Sequence, residues 1–381
     1  MYSIGDYCGF ITNRARTDAF INALERAVKP GCVVLDIGAG MGFFAIKAAL
    51  LGARKVYAIE YNDAIQLGQE FAKINGVADK VEFIHDISTK VDLPERADVI
   101  ISDLRGMMPL HSFHIPSIID ARKRFLADDG VLIGQRDTFY ACVVETVENY
   151  DKYIEELFGT HYGVDMGISK KYLVNQWTQG VSTPEDFLTE PQPFFTLDYT
   201  IIEDPNISAE INFVVTRKGT ARGFNVWFEA AIAEGLGFAN APGNPPLPYR
   251  NPFFPFENKV DVEVGDVITI NIDANLVDET YIWRWKTKVF GQGQREIIKA
   301  SFNQSTFYGD LYAPKRLQKQ ASAYIPTIND DGEIESFILS QMNGQNTLET
   351  ISNRLMEKFP VKFHTLKEAL GKVGKTAQKF S

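Results

Sequence analysis

The run Asp36-Ile37-Gly38-Ala39-Gly40-Met41-Gly42 sets a carboxylate two residues ahead of three closely spaced glycines. Glycines at the end of an apolar strand let the backbone turn tightly and approach a ligand. Which ligand follows from spacing and charge. A dinucleotide-binding turn spaces its glycines G-x-G-x-x-G, and here the third glycine comes one residue early. Asp36 would repel a diphosphate and attract a cationic sulfonium carrying an α-amino group. Glu60 ends the next apolar run, where a carboxylate can accept both ribose hydroxyls. Asp86 follows the third such run, near the place of an adenine, and Tyr61 and Ile87 beside them belong to the same cofactor set. The pattern favours S-adenosyl-L-methionine (SAM), with SAH as product, over a nicotinamide dinucleotide.

A second set lies on one loop: Asp103, Arg105, His111 and His114. Asp103 can accept a hydrogen bond from an acceptor group and aim its lone pair at a methyl donor. Arg105 can pair with Asp103 or hold a substrate carboxylate, and His111 can act as a general base. Two histidines three apart are a weak metal signal, and no metal is expected.

The elements that must position these residues can be read from periodicity. Thr17 can cap a helix with Ala19, Phe20, Ala23, Leu24 and Ala27 on its apolar face, stopped by Pro30-Gly31. Val33–Ile37, Val56–Glu60, Val81–Ile84, Val99–Ser102 and Val131–Ile133 read as short strands. Helical patterns over Phe43–Leu51, Ala64–Ile74 and Ile118–Phe125 separate them. Such alternation implies an α/β, Rossmann-like domain with a parallel sheet. From about residue 195 to 315 the chain is rich in strands, among them Ile211–Thr216, Asn225–Phe228, Val267–Ile272 and Tyr281–Trp285, which suits an antiparallel β-barrel or sandwich. The resulting division is a SAM-binding domain with an N-terminal helical lid over 1–142, a β-barrel over 143–316 with an arm at about 165–195, and a small helical C-terminal module over 317–381.

Across its 381 residues the chain is 45% hydrophobic and 23% charged, enough for a substantial core. Its net charge of −10 makes nucleic acid a disfavoured partner. Three cysteines without metal-like spacing suit a reducing cytoplasm. No signal peptide and no membrane span are expected.

Residues 10–145 resemble the SAM-binding domain of the protein arginine methyltransferase (PRMT) family. Val33 to Gly42, Ala58-Ile59-Glu60, Ile101 to Gly106 and Val131 to Asp137 match its successive motifs. Arg16-Thr17 matches the arginine that in this family holds the SAM carboxylate. Tyr162-Gly163-Val164-Asp165-Met166 looks like the lead into the dimerisation arm, and Trp227-Phe228-Glu229 and Val264-Gly265-Asp266 look like barrel markers. The resemblance, which covers about residues 10–315, implies a SAM-dependent methyltransferase (EC 2.1.1) forming a homodimer. The arm's Tyr172, Leu173, Trp177 and Phe187 are expected to need a partner surface.

The chain departs from the family at the acceptor side. Two family glutamates clamp a guanidinium; the first aligns with Asp103 and the second with Ser112, which carries no charge. The family's Thr-His-Trp element aligns with Leu247-Pro248-Tyr249, and its early tyrosines are not matched in register, although Tyr2 and Tyr7 are near. The leading expectation is methyl transfer to a side-chain nitrogen, guanidine or amide, of a protein or peptide. The alternatives are a tailoring enzyme for a small molecule or natural-product peptide, and a non-catalytic SAM-binding scaffold.

At the C-terminus, Phe337 to Pro360 reads as helix, polar turn, capping threonine and helix. It resembles the PqqD-type modules that bind leader peptides; a helical cap on the barrel is the alternative. The last 35 residues hold seven lysines and arginines against three glutamates, a balance that suits either an acidic peptide or a solvated face.

Overall fold

The computed structural model describes residues 2–146, 150–180 and 182–381. They form two compact units, Met1–Asp310 and Leu311–Ser381.

The first unit opens with two helices, α1 (Ile4–Thr12) and α2 (Arg14–Ala27). The cap of α2 is Asn13, whose side chain accepts the Arg16 amide at 3.2 Å, and not Thr17. The first turn, Arg14-Ala15-Arg16, carries no apolar stripe, so periodicity alone starts the helix too late. Thr17 lies inside it and donates its hydroxyl to the Phe10 carbonyl.

A parallel sheet follows, built from β1 (Val33–Ile37), β2 (Lys55–Ile59), β3 (Val81–Ile84), β4 (Ala97–Ser102) and β5 (Leu126–Ile133). Helices α3 (Phe43–Leu50), α4 (Ile65–Ile74) and α5 (His114–Arg124) connect its strands. All five residues of β1 are buried, as expected for a strand covered on both faces. The strand order is β3-β2-β1-β4-β5. Strand order therefore reverses between β1 and β4, and open sheets of this type bind ligands at the carboxyl ends of the strands there. Asp36 pairs in register with Ile101, so Asp103 lies just past the end of the strand beside it. The fold thereby places both acids at one edge.

The chain then becomes antiparallel. A sheet in the order β10-β6-β12-β14-β9, with β13 on β12, faces a sheet in the order β11-β15-β16-β17. The strands are β6 (Arg136–Val144), β9 (Thr178–Gln179), β10 (Gln192–Asp198), β11 (Ile207–Val214), β12 (Gly219–Ala233), β13 (Leu236–Ala239), β14 (Pro252–Val262), β15 (Val267–Val277), β16 (Thr280–Gly291) and β17 (Gln294–Ser305). A short hairpin of β7 (Thr160–His161) and β8 (Val164–Asp165) lies between β6 and β9 in the chain. Alternation drives the packing: Ile268, Ile270, Ile272 and Ala274 of β15 point inward together with Tyr281, Trp283, Trp285 and Val289 of β16.

Three of the arm residues find contacts inside the chain. Trp177 packs on the main core, Leu173 and Phe187 pack around Tyr150 and Phe253, and Phe187 stacks on Trp227. These three arm residues stay partly exposed, as does Tyr172. The exposed apolar residues are Leu157, Tyr162, Val164, Met166 and Ile168, on and around the hairpin.

The second unit holds three longer helices, Asp330–Gln341, Leu348–Lys358 and Leu366–Phe380. Asn329, Thr347 and Thr365 cap them through their side chains. Ile334, Ile338, Ile351, Leu355, Ala369 and Val373 form their core. No helix among the described residues is long and apolar enough to cross a membrane.

Candidate functional site

The turn after β1 is left-handed at Gly38, Gly40 and Gly42, with φ of +72°, +55° and +74°. L-residues avoid this region because Cβ meets the following carbonyl. A Cβ on Gly40 would also lie 2.7 Å from the Tyr7 ring, so α1 lies directly over the turn. Glu60 ties this turn to the next: its two oxygens accept the Gly40 amide at 2.9 Å and the Asn62 amide at 2.8 Å. One lone pair on each oxygen remains for a ligand hydroxyl.

Asp36 is 2% exposed, and its Oδ2 has no hydrogen-bond partner. Burial pushes its pKa up to about 7, with Glu60 adding to the shift and the Ala45 amide and Arg16 opposing it. An unpartnered buried carboxylate oxygen beside a glycine turn suits a cationic ligand, and SAM carries such charge. Beyond β2 and β3, Tyr61 is 65% exposed and its carbonyl contacts His85 Nε2, while Asp86 accepts the amide of Ile87. These residues border the same edge of the sheet.

The acceptor side centres on Asp103. Its Oδ2 accepts from Arg16 Nε at 2.7 Å, from Arg16 Nη2 at 2.5 Å and from the Tyr249 hydroxyl at 2.5 Å. Its Oδ1 accepts from Arg105 Nη1 at 3.0 Å. Burial alone would raise the Asp103 pKa. The Arg16 and Arg105 charges and the Tyr249 hydrogen bond outweigh it and hold the carboxyl well below the usual range. Arg16 thus grips Asp103 with its Nε–Nη2 edge, while Nη1 has only a 3.4 Å contact to the Phe10 carbonyl. The Phe20 and Phe44 rings flank its guanidinium.

Arg105 does not face outward to hold a substrate carboxylate. It is 1% exposed, and its Nε and Nη2 bind the two oxygens of Asp137 at 2.7 and 3.1 Å. Tyr199 donates to the same Asp137. Arg105 acts on the site through Asp103.

The histidines part company. His111 is exposed to solvent at one side, rests against Gly106, and burial lowers its pKa. His114 is not a loop residue: it opens α5, fully buried, edge-on to Tyr199, with neither ring nitrogen hydrogen-bonded. Burial, with the Arg105 charge adding, pushes its pKa down to about 3. Among the described residues no cluster of three or more metal-ligating side chains occurs. Ser112, at the position of the missing glutamate, has φ +42°.

Two participants were not assigned from sequence. Tyr7 covers the glycine turn, in an aromatic group with Tyr2 and Phe10; the nearness of Tyr2 and Tyr7 to the first helix was the available signal. Tyr249 is stacked on Phe238, edge-on to Phe228, and enters the site from the second half of the chain. Its loop is pinned by Asn13 on the Pro246 carbonyl and by the Arg250 amide on the Met107 carbonyl.

Known proteins carry both halves of this arrangement. Residues 13–133 match the family described as ribosomal protein L11 methyltransferase (PrmA). Residues 135–285 match the arginine methyltransferase oligomerization subdomain. The chain is a PRMT-like, SAM-dependent methyltransferase. Among similar proteins is the probable protein arginine N-methyltransferase 6 of Arabidopsis thaliana, 27% identical over 311 residues, covering 70% of this chain and 71% of that protein. Protein arginine N-methyltransferase 6 of Xenopus tropicalis is 28% identical over 282 residues, covering 70% and 83%. In fold, the PRMT-like chain is similar to the Trypanosoma brucei PRMT1 enzyme-prozyme complex with AdoHcy, at a TM-score of 0.72 and 19% identity, covering 80% of this chain and 98% of that one. Arabidopsis thaliana protein arginine methyltransferase 10 gives 0.68 and 22%, covering 80% and 97%.

Proposed function

We propose that this PRMT-like enzyme transfers the methyl group of SAM to a side-chain nitrogen of a protein or peptide. The observation that carries the reading is Arg16, whose charge reaches both the buried Asp36 of the cofactor turn and the fixed Asp103 at the end of β4. Bound SAM supplies an electrophilic methyl. Asp36 holds the cationic end of the cofactor, Arg16 Nη1 takes its carboxylate, and Glu60 takes its ribose; Tyr61, Asp86 and Ile87 border the adenine. Tyr7 covers the turn and keeps water away. Asp103 accepts an N–H from the acceptor and turns that nitrogen toward the methyl, a task of orientation more than of proton transfer. Relatives named for arginine make a guanidine nitrogen one candidate acceptor, and a side-chain amide is the other that this geometry admits.

The same reading includes a homodimer and a cytoplasmic setting with Cys8, Cys32 and Cys142 as free thiols. The exposed hairpin around Tyr162 and an apolar groove of about 210 Å³ bordered by Ile11, Phe43, Ile46, Leu50 and Phe71 are the surfaces that two copies would bury. Sedimentation at the mass of a 42.8 kDa monomer alone would remove the dimer. The acceptor is tested with methyl-labelled SAM and a lysate of the host. Label in the protein fraction supports the reading; label confined to small molecules overturns it.

A further inference from the structure

Resting on that reading, we infer that the acceptor is an uncharged side-chain amide and not a guanidinium. A guanidinium is recognised by carboxylate oxygens whose lone pairs are free for a two-pronged approach. Asp103 does not offer them. Its Oδ2 already takes three donors, from Arg16 Nε, Arg16 Nη2 and Tyr249, and its Oδ1 takes Arg105 Nη1. The remaining lone pair on Oδ1 accommodates one N–H.

Charge leads to the same conclusion. Around Asp103, Arg16 and Arg105 balance Asp103 and Asp137, so the cluster has no negative charge left over for a third cation. A guanidinium brought to Asp103 would meet two others already in contact with that carboxylate, at a site 9% exposed where water screens little. The position opposite, Ser112, is neutral. Arg105 cannot turn away to make room, because its other edge is locked on Asp137, itself held by Tyr199. A carboxamide meets none of these obstacles. It carries no charge to desolvate and presents one N–H to the single lone pair.

In the reaction the amide nitrogen forms a bond to the methyl carbon as the carbon–sulfur bond of SAM breaks. Sulfur keeps the electron pair and leaves as the neutral thioether of SAH. The nitrogen loses one proton to water; Asp103, gripped by Arg16, Arg105 and Tyr249, is too weak a base to keep it.

The experiment separates this inference from the reading beneath it. The full-length enzyme is incubated with methyl-labelled SAM and a lysate from a host lacking its gene, and Asp36→Ala serves as the inactive control. The labelled protein fraction is hydrolysed in strong acid. A methylated amide releases volatile labelled methylamine, whereas methylarginine survives as an amino acid. The inference expects at least ten times more label in methylamine than in methylarginine. Label in methylarginine, or released as methanol by mild base, overturns the amide and leaves a protein acceptor standing. Label absent from the protein fraction overturns both.

Discussion

Tyr249 donates its hydroxyl to Asp103 Oδ2 at 2.5 Å, joining a loop of the antiparallel half to the end of a parallel strand. The two residues lie 146 positions apart. The bond makes the acceptor site a joint product of both halves of the first unit.

Tyr249→Phe keeps the ring between Phe238 and Phe228 and removes this bond together with the one its hydroxyl accepts from Arg16 Nε at 3.0 Å. A hydrogen bond to a charged group contributes about 1.5–3 kcal/mol. Turnover should fall roughly 10- to 100-fold by the same measure, with SAM affinity unchanged. Steady-state kinetics beside calorimetric SAM binding would show it, and an equal loss in both would mean that Tyr249 merely supports the fold.

Asp36 gives SAM binding a pH dependence. Its pKa in the folded protein, about 7, lies above the ordinary 3.8. Its stabilisation of the ligand-free fold is therefore complete below pH 3.8 and is lost as pH rises through 7. A cationic ligand favours the ionised form, so the sign for binding is opposite. Affinity should be about tenfold weaker at pH 6 than at pH 8. Titrations at both values, repeated on Asp36→Asn, test this; a slope that survives in the variant would assign it to another group.

Gly40→Ala places a Cβ in left-handed backbone and 2.7 Å from Tyr7. The backbone term alone is about 1–2 kcal/mol. Thermal melts should show a lower Tm, and pairing the change with Tyr7→Ala should recover the steric part. Additive losses would show that Tyr7 does not cover the turn.

His114 is buried with both ring nitrogens unpaired, and its pKa sits at about 3 against an ordinary 6.5. The stability tied to its neutral form is complete above pH 6.5 and is lost as pH falls toward 3. His114→Phe removes unsatisfied polar atoms at similar volume, so it should stabilise by about 1–2 kcal/mol. The gain in Tm should be larger at pH 5 than at pH 7.5. A loss at both values would mean that the imidazole has a partner such as bound water.

Much of this was legible locally. Asp36, the glycines and Glu60 sit within one strand–turn–helix–strand stretch, where spacing and apolar runs fix both element and ligand side. The acceptor side was less legible because its chemistry is non-local. Arg105 read as a partner of Asp103 or as a holder of a substrate carboxylate; the first is observed, and the residues that close off the second, Asp137 and Tyr199, lie 32 and 94 positions downstream. His114 read as a loop histidine, because the first turn of α5, His114-Ile115-Pro116-Ser117, holds a proline that obscures the start of the helix. Leu173, Trp177 and Phe187 looked unpartnered because their partners lie in strands or segments remote in sequence.

The central claim is that Asp36 serves the cofactor and Asp103 the acceptor. Calorimetric SAM binding to Asp36→Ala and Asp103→Asn tests it most directly. The account predicts that the first loses SAM affinity and the second keeps it within about threefold, under 1 kcal/mol. Normal binding by Asp36→Ala, or an equal loss in Asp103→Asn, would contradict it.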